Sequence, residues 1–146
     1  VLSCIEGLAA AETAHLNLKP TNIFLDEERR PLLSDFVLAR QPGAAPTPYT
    51  SPEQVQGGVV DRRSDVYMLG VLLFELLVGQ PPPVGVVASP RAKRPHLPES
   101  IDRVIYKAMA QNPDARFQSP AEFRNALDAA LRPVAPPVPI RAAGRR

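Results

Sequence analysis

The stretch that decides the fold runs His15-Leu16-Asn17-Leu18-Lys19-Pro20-Thr21-Asn22, and Asp35-Phe36 follows a little further along the chain. Between them lie two short apolar runs, 23–25 and 32–33, separated by a charged segment that ends in proline. This pattern predicts a β-hairpin. Antiparallel pairing would bring Asn22 and Asp35 to the same end of that hairpin. An amide oxygen and a carboxylate placed together are suitable ligands for a magnesium ion.

The composition is that of one soluble domain. The 146 residues are 45% hydrophobic and 22% charged, with a net charge of +2. A charge this small gives no argument for nucleic-acid binding. The single cysteine, Cys4, excludes an internal disulfide and a cysteine metal cluster. Because the chain opens at Val1 in an apolar pattern without a signal peptide, we expect a piece of a longer, cytoplasmic protein.

The periodicity predicts a mainly helical fold. Residues 1–14 have helical composition, and 66–78 are apolar on every side except at Glu75, which is typical of a buried central helix. Ser64 or Asp65 is expected to cap the start of this central helix. About thirteen apolar residues are too few to cross a bilayer, which needs roughly twenty.

Two further helices are expected towards the C-terminal end. An apolar stripe over 101–109 predicts the first, and Ser119-Pro120-Ala121-Glu122 is a capping box that opens the second. The segments 38–63 and 80–98, which contain many of the prolines, are expected to be loops. The proline-rich, basic tail 133–146 is expected to be extended and disordered, which leaves 1–132 as the folded domain.

Taken together, these motifs resemble the C-terminal lobe of protein kinases. Residues 15–22 are similar to the family's catalytic loop, and Asp35-Phe36 to its metal-binding motif. Further matches follow in the family's order, and Lys19-Pro20 is typical of bacterial serine/threonine kinases. These matches are Tyr49-Thr50-Ser51-Pro52-Glu53-Gln54, Asp61-Arg62-Arg63-Ser64-Asp65-Val66-Tyr67-Met68-Leu69-Gly70 and Asn112-Pro113-Asp114-Ala115-Arg116-Phe117.

The resemblance implies a mainly α C-lobe, with helices around a buried central helix and one small β-hairpin. It implies roles at the catalytic loop as well. Asn22 and Asp35 match the metal ligands, and Lys19 matches the lysine that contacts the transferred phosphate. The positions that match structural residues of the family are His15, Asp65 and the ion pair of Glu53 with Arg116.

Two replacements argue against phosphotransfer. Asn17 stands where the family has the aspartate that accepts the substrate's proton, and an amide cannot take a proton near neutral pH. Leu16 replaces the arginine that pairs with a phosphorylated activation loop. The segment between Asp35 and Glu53 is also shorter than the family's usual activation segment. The N-terminal lobe, with its Gly-rich loop and strand lysine, is missing, so ATP and Mg²⁺ are implied by the family but expected to bind weakly.

The leading hypothesis is a degenerate serine/threonine kinase fragment, a pseudokinase-like module that is catalytically inactive and has a regulatory or scaffolding role. The alternative is a fragment of an active ATP-dependent kinase whose N-lobe lies upstream. Both imply protein partners or substrates in signalling. A basic nucleic-acid module is disfavoured because no basic stripe or aromatic interleaving is present. The cytoplasm is the expected location, either as a free protein or as the cytosolic part of a membrane-anchored one.

Overall fold

The longest helix, α2 (Arg62–Val78), lies at the centre of the molecule, and every residue from Ser64 to Phe74 within it is buried. The computed structural model describes residues 6–8, 13–35 and 45–132. The elements, in chain order, are β1 (Ile23–Leu25), β2 (Pro31–Leu33), α1 (Pro52–Gln56), α2 (Arg62–Val78), α3 (Glu99–Ala108) and α4 (Pro120–Leu131), with 3-10 turns at Pro20–Asn22, Pro90–Ala92 and Pro113–Ala115.

The central helix begins one turn earlier than the apolar pattern predicts. Asp61, rather than Ser64 or Asp65, is its N-cap, and its carboxylate accepts a hydrogen bond from the backbone N–H of Arg63 at 2.8 Å. The prediction was wrong because the first turn is polar and carries no apolar signal. Ser64 and Asp65 are buried inside the helix and direct their side chains to other parts of the chain. Gly79 ends the helix in the left-handed conformation, which glycine adopts readily.

Helices α3 and α4 pack against α2 and against each other. Gly70 of α2 lies where α3 crosses most closely: a β-carbon there would stand 2.9 Å from Ala108 Cβ and 2.9 Å from Met109 Cγ. The absence of a side chain at this position therefore sets the separation of the two helices. Ser119 caps α4 by accepting from the backbone N–H of Glu122 at 3.2 Å, as the capping box predicts.

The predicted hairpin is present, with Ile23 opposite Leu33 and Phe24 opposite Leu32. Pro31 begins β2, a position in which its missing N–H does not interrupt the ladder. The hairpin is joined to the preceding loop by a hydrogen bond from the N–H of Ser34 to the carbonyl of Asn22 at 3.0 Å. Asn22 and Asp35 are thereby held at one end of the hairpin.

Two loop predictions need correction, and parts of the predicted first helix and the tail lie outside the described residues. The segment 38–63, expected to be loop, contains α1, a five-residue helix whose polar sequence has no apolar periodicity. The segment 80–98 contains a 3-10 turn at Pro90–Ala92. Of the predicted first helix, residues 6–8 are helical and residues 13–14 are not. The rest of it, 1–5 and 9–12 with Cys4, lies outside the described residues. The segment 36–44 and the tail 133–146 lie outside them as well.

Within the described parts of the chain, no helix is both long enough and apolar enough to cross a membrane.

Candidate functional site

A carboxylate of the central helix holds the loop that begins at His15. Asp65 accepts the backbone N–H of His15 at 2.8 Å and that of Leu16 at 2.7 Å, one on each carboxylate oxygen. Burial raises the pKa of Asp65 to about 6, although the two N–H bonds act in the opposite direction. His15 is fully buried, and burial lowers the pKa of its imidazole, which is therefore neutral at pH 7.

Three of the sequence-predicted site residues come together at the end of the hairpin. The Asn22 side chain is buried, and its Nδ2 donates to the backbone carbonyl of Asn17 at 2.8 Å. This bond leaves the amide oxygen of Asn22 as the atom suited to a metal ion. The Nδ2 of Asn17 points to the carbonyl of Asp35 at 3.5 Å, the outer limit for a hydrogen bond. Asn17, Asn22 and Asp35 thus form one cluster built on backbone contacts.

One residue of this cluster, Asp35, and the residue before Asn17, Leu16, adopt left-handed backbone conformations. Leu16 has φ +61° and Asp35 has φ +56°. Such conformations are uncommon for residues other than glycine, asparagine and aspartate, and they concentrate at functional sites. For Leu16 the conformation is maintained by the contacts on its backbone groups, since its aliphatic side chain offers no local hydrogen bond.

The hairpin presents an apolar face beside the cluster. Phe24 and Leu32 are a cross-strand pair, and each side chain is 54% exposed. Asn22 is separated from Phe24 by one residue, so this flat surface adjoins the candidate metal position. The apolar runs had predicted the strands, but alternation in three-residue strands is too short to indicate which side faces solvent.

A buried ion pair fixes α1 against the helical core. Arg116 contacts Glu53 through two hydrogen bonds of 2.8 and 2.7 Å, and Ser64 donates to the same carboxylate at 2.5 Å. Burial would raise the pKa of Glu53, but the bonds from Arg116 and Ser64 outweigh it and hold the pKa below its usual range. The remaining guanidinium donors of Arg116 reach the backbone carbonyls of Arg63, Ala110 and Gln111.

Several contacts around the site were not foreseen from the sequence. Gln54 donates to the backbone carbonyl of Leu16 at 2.9 Å, and Leu18 donates its N–H to the sulfur of Met68 at 3.2 Å. Tyr49 donates to Glu75, the one polar residue of the central helix's apolar stretch, at 2.5 Å. The Ser51-x-x-Gln54 spacing is a helix-start signal that could have revealed α1 and the position of Gln54.

The cluster could bind a magnesium ion only if other ligands completed the coordination sphere of the metal. No group of three or more His, Cys, Asp or Glu side chains suited to a metal occurs in ranges 6–8, 13–35 and 45–132. Asn22 and Asp35 offer two oxygen atoms, whereas Mg²⁺ takes six ligands and is usually completed by phosphates and water. Lys19 opens the 3-10 turn Pro20–Asn22 in the same loop, where a cation can attract such phosphates.

Comparison with known proteins agrees with this geometry. The protein kinase domain family matches residues 1–125. The chain is 37% identical over 135 residues to serine/threonine-protein kinase PknB of Mycolicibacterium smegmatis, covering 75% of this chain and 22% of that protein. It is 31% identical over 156 residues to serine/threonine-protein kinase PrkC of Bacillus subtilis, covering 88% of this chain and 24% of that protein.

A solved structure gives the same result. The crystal structure of the Mycobacterium tuberculosis PknI kinase domain superposes with a TM-score of 0.71 and 31% identity, covering 88% of this chain and 54% of that one. The chain therefore spans about half of a solved kinase domain and less than a quarter of the two full-length relatives. With its mainly helical lobe and single hairpin, the chain belongs to the protein kinase domain family and is a fragment of the bacterial serine/threonine type.

Proposed function

We propose that this chain is a degenerate serine/threonine kinase lobe that retains the scaffold of the catalytic loop without phosphotransfer activity and acts by binding other proteins. The observation that carries the proposal is Asn17, an amide at the position where the family has its proton acceptor. The loop around it is well anchored through Asp65, so the replacement falls in an ordered site.

The chemistry of Asn17 limits what the site can do. A carboxylate accepts the proton of a substrate hydroxyl, and losing a positioned base typically slows a reaction by about 10²–10⁴. An amide orients a hydroxyl but leaves its proton in place. The Nδ2 of Asn17 points to the backbone carbonyl of Asp35 at 3.5 Å.

Magnesium and a nucleotide fit the remaining residues in outline. Asn22 and Asp35 would hold the metal, and Lys19 would attract phosphate. The metal, when bound, would neutralise charge on the phosphates. Because two protein oxygens complete only part of an octahedron, we expect weak binding by this chain.

The binding role is supported by exposed apolar surface. Val55 of α1 and Val84 of the segment 80–98, which follows α2, are each 48% exposed, and both line a cavity of about 170 Å³. Apolar side chains around a surface cavity suit contact with another protein. We propose the cytoplasm as the location of such contacts, in keeping with the single cysteine and the signalling relatives.

A second candidate is a fragment of an active kinase whose N-terminal lobe lies upstream. The specific support for it is the gathering of Asn17, Asn22 and Asp35 beside the exposed face of Phe24 and Leu32, an arrangement that suits a nucleotide once a second lobe covers it. Positioning and metal electrostatics supply most of phosphotransfer catalysis, which would leave some activity without the base.

A phosphotransfer assay with radiolabelled ATP and a generic basic protein tests the proposal that this chain is inactive. We expect no transfer by this chain above a control without protein. Asn17→Asp should not restore transfer in the same chain, because a base alone does not hold the nucleotide. Transfer by the unaltered chain would overturn the proposal and support the second candidate.

Nucleotide binding is a separate measurement. Titration calorimetry with magnesium and ATP should give no micromolar dissociation constant. Asp35→Ala removes a proposed metal ligand, and Glu27→Ala removes an exposed carboxylate at the other end of the same hairpin as a matched control. Micromolar binding that Asp35→Ala abolished and Glu27→Ala preserved would contradict the expectation of a weak site.

A further inference from the structure

Both backbone polar groups of Leu16 are held by side chains from distant parts of the chain. Its N–H donates to Asp65 of α2 at 2.7 Å, and its carbonyl accepts from Nε2 of Gln54 in α1 at 2.9 Å. Leu16 has φ +61° and immediately precedes Asn17. The Asp65 contact holds the peptide that joins His15 to Leu16. The Gln54 contact holds the carbonyl of the next peptide, which joins Leu16 to Asn17 and whose N–H donates to Nδ1 of His15 at 3.3 Å.

The orientation of the Gln54 amide is itself determined. Its Oε1 accepts the backbone N–H of Ser51 at 3.0 Å and the Ser51 hydroxyl at 3.2 Å. A flipped amide would place its NH₂ group against the N–H of Ser51 and its oxygen against the carbonyl of Leu16, which is unfavourable at both ends. The backbone that carries Gln54 is held in place as well, because the carboxylate of the neighbouring Glu53 is bound by Arg116.

The two side chains that hold the backbone of Leu16 come from different parts of the molecule. Asp65 belongs to the buried central helix, whereas Gln54 lies at the end of segment 45–56, where Thr47, Tyr49 and Thr50 are still partly or fully exposed. Among the described residues, Gln54 is the member of this segment that contacts the Leu16 carbonyl. The aliphatic side chain of Leu16 makes no polar link of its own, so the connection runs through its backbone.

We propose that Gln54 is a positioning residue that couples segment 45–56 to the loop 15–22 and sets the placement of Asn17. The inference rests on the proposed function to the extent that Asn17 marks the remnant of a phosphotransfer site. Gln54 acts through the Leu16 carbonyl. The coupling requires a hydrogen-bond donor on the side chain of residue 54 and operates without a phosphate on the segment.

Gln54→Glu tests the coupling. At pH 7 the new carboxylate still accepts from Ser51 but cannot donate to the Leu16 carbonyl. The loop 15–22 therefore loses this hydrogen bond, while the contact at the start of α1 is preserved. We expect hydrogen exchange at the Asn17 amide to become faster by about tenfold. Amides of α2 should be unaffected. Gln56→Glu, an exposed position on the same short helix, is the matched control and should change neither.

The new carboxyl group also provides an internal rescue. When it is protonated at about pH 4, its hydroxyl can donate to the Leu16 carbonyl again. Asn17 exchange, corrected for the intrinsic rate, should then return towards that of the unaltered chain. Asp65, whose pKa is raised to about 6, is protonated at this pH in both proteins and affects the other contact of Leu16, so the unaltered chain at pH 4 is the reference. Asn17 exchange in Gln54→Glu that stayed faster than in this reference would point to a general loss of stability and would overturn the proposal.

The proposal would also be overturned if Gln54→Glu left hydrogen exchange at the Asn17 amide unchanged at pH 7, or if it accelerated exchange in α2 by the same factor. Neither nucleotide nor magnesium enters the measurement. Failure of the coupling would therefore leave the proposed function standing, and failure of the nucleotide tests would leave the coupling standing.

Discussion

The helical core and the hairpin end of the molecule use polar residues in opposite ways. In the core, Arg116 is fully buried and its guanidinium bonds to a carboxylate and to backbone carbonyls. At the hairpin end, Asn17 and Asp35 share one marginal contact, and the adjoining apolar pair is exposed. The difference teaches that the fold is secured by groups that take no part in the site's chemistry. The lobe can therefore keep its fold whichever residue stands at position 17.

The largest expected effect is the loss of the core ion pair. Arg116→Ala leaves the carboxylate of Glu53 buried without its cation, which typically costs about 3–5 kcal/mol of stability. Urea denaturation should show the loss as a lower midpoint. Arg103→Ala removes an exposed pair with Glu99 and should cost at most about 0.5 kcal/mol.

A double-mutant cycle sharpens this prediction. Glu53→Gln combined with Arg116→Ala should cost less than the sum of the single changes, because the two groups contact each other. If the two changes in the free energy of unfolding were strictly additive, Glu53 and Arg116 would not be energetically coupled. The contrast between the buried polar contacts of the core and the weaker ones of the site would then be less marked.

The close approach of α2 and α3 gives the next largest effect. Gly70→Ala places a methyl group 2.9 Å from atoms of Ala108 and Met109, and overpacking of this kind costs about 1–3 kcal/mol. Gly7→Ala is the matched control: Gly7 is also helical, and a β-carbon there meets nothing within 4 Å. Thermal unfolding should show a lower Tm for Gly70→Ala and an unchanged or slightly higher Tm for Gly7→Ala.

The buried carboxylates predict an unusual pH dependence. The folded-state pKa of Asp65 is raised to about 6 from an ordinary 3.8, so its charged form disfavours folding above pH 6 and the penalty disappears as pH falls. Between pH 7 and 5 this adds about 1 kcal/mol of stability. Glu53 has the opposite sign: its pKa is lowered, so its contribution is present above the ordinary value of 4.5 and is lost as pH falls through the folded-state pKa.

Urea midpoints measured across this range check the prediction. Asp65 should contribute a rise in stability from pH 7 to 5, and stability should fall again in stronger acid. The lowered pKa of His15 opposes this rise, because stability falls as its imidazole becomes protonated in the unfolded chain. The rise due to Asp65 is therefore measured as the difference in slope between the unaltered chain and Asp65→Asn, which lacks it. Asp114→Asn, an exposed carboxylate position, should preserve the rise. An unchanged slope in Asp65→Asn would assign the pH dependence to another group.

The smallest effect is expected at the exposed hairpin face. Phe24→Thr keeps a strand-forming residue at a position that is 54% exposed, so the free energy of unfolding should change by at most about 0.5 kcal/mol. If this substitution destabilised the chain as strongly as Gly70→Ala, the face would be part of the core and the comparison of the two regions would be wrong.

The sequence allowed the hairpin, the buried central helix and the fold class to be predicted because each depends on local signals. Apolar runs with a proline between them specify the hairpin, and an uninterrupted apolar stretch specifies α2. The family's order of motifs also led us to expect the contact between Glu53 and Arg116, which the structure contains at 2.7 Å. The roles of Asn17, Lys19, Asn22 and Asp35 in chemistry stay predictions.

The remaining features depend on tertiary contacts between remote residues. The start of α2 was misplaced because Ser64 and Asp65 are polar, and their burial follows from partners at Glu53 and in the loop 15–22. The link from Gln54 to Leu16 joins residues 38 positions apart, and no local pattern specifies such a pair. Helix α1 was missed because five residues are too few to show a period.

The span of the core ion pair has a consequence for synthesis of the chain on the ribosome. Glu53 and Arg116 are 63 positions apart, and the Asp65 bonds to the loop close intervals of 50 and 49 residues. Contacts this remote carry a loop-closure cost and form late. A nascent chain that ends before Arg116 exposes an unpaired Glu53 and cannot fix α1. The lobe therefore completes its folding only after nearly its whole length has left the exit tunnel, and until then its apolar central helix is available to chaperones.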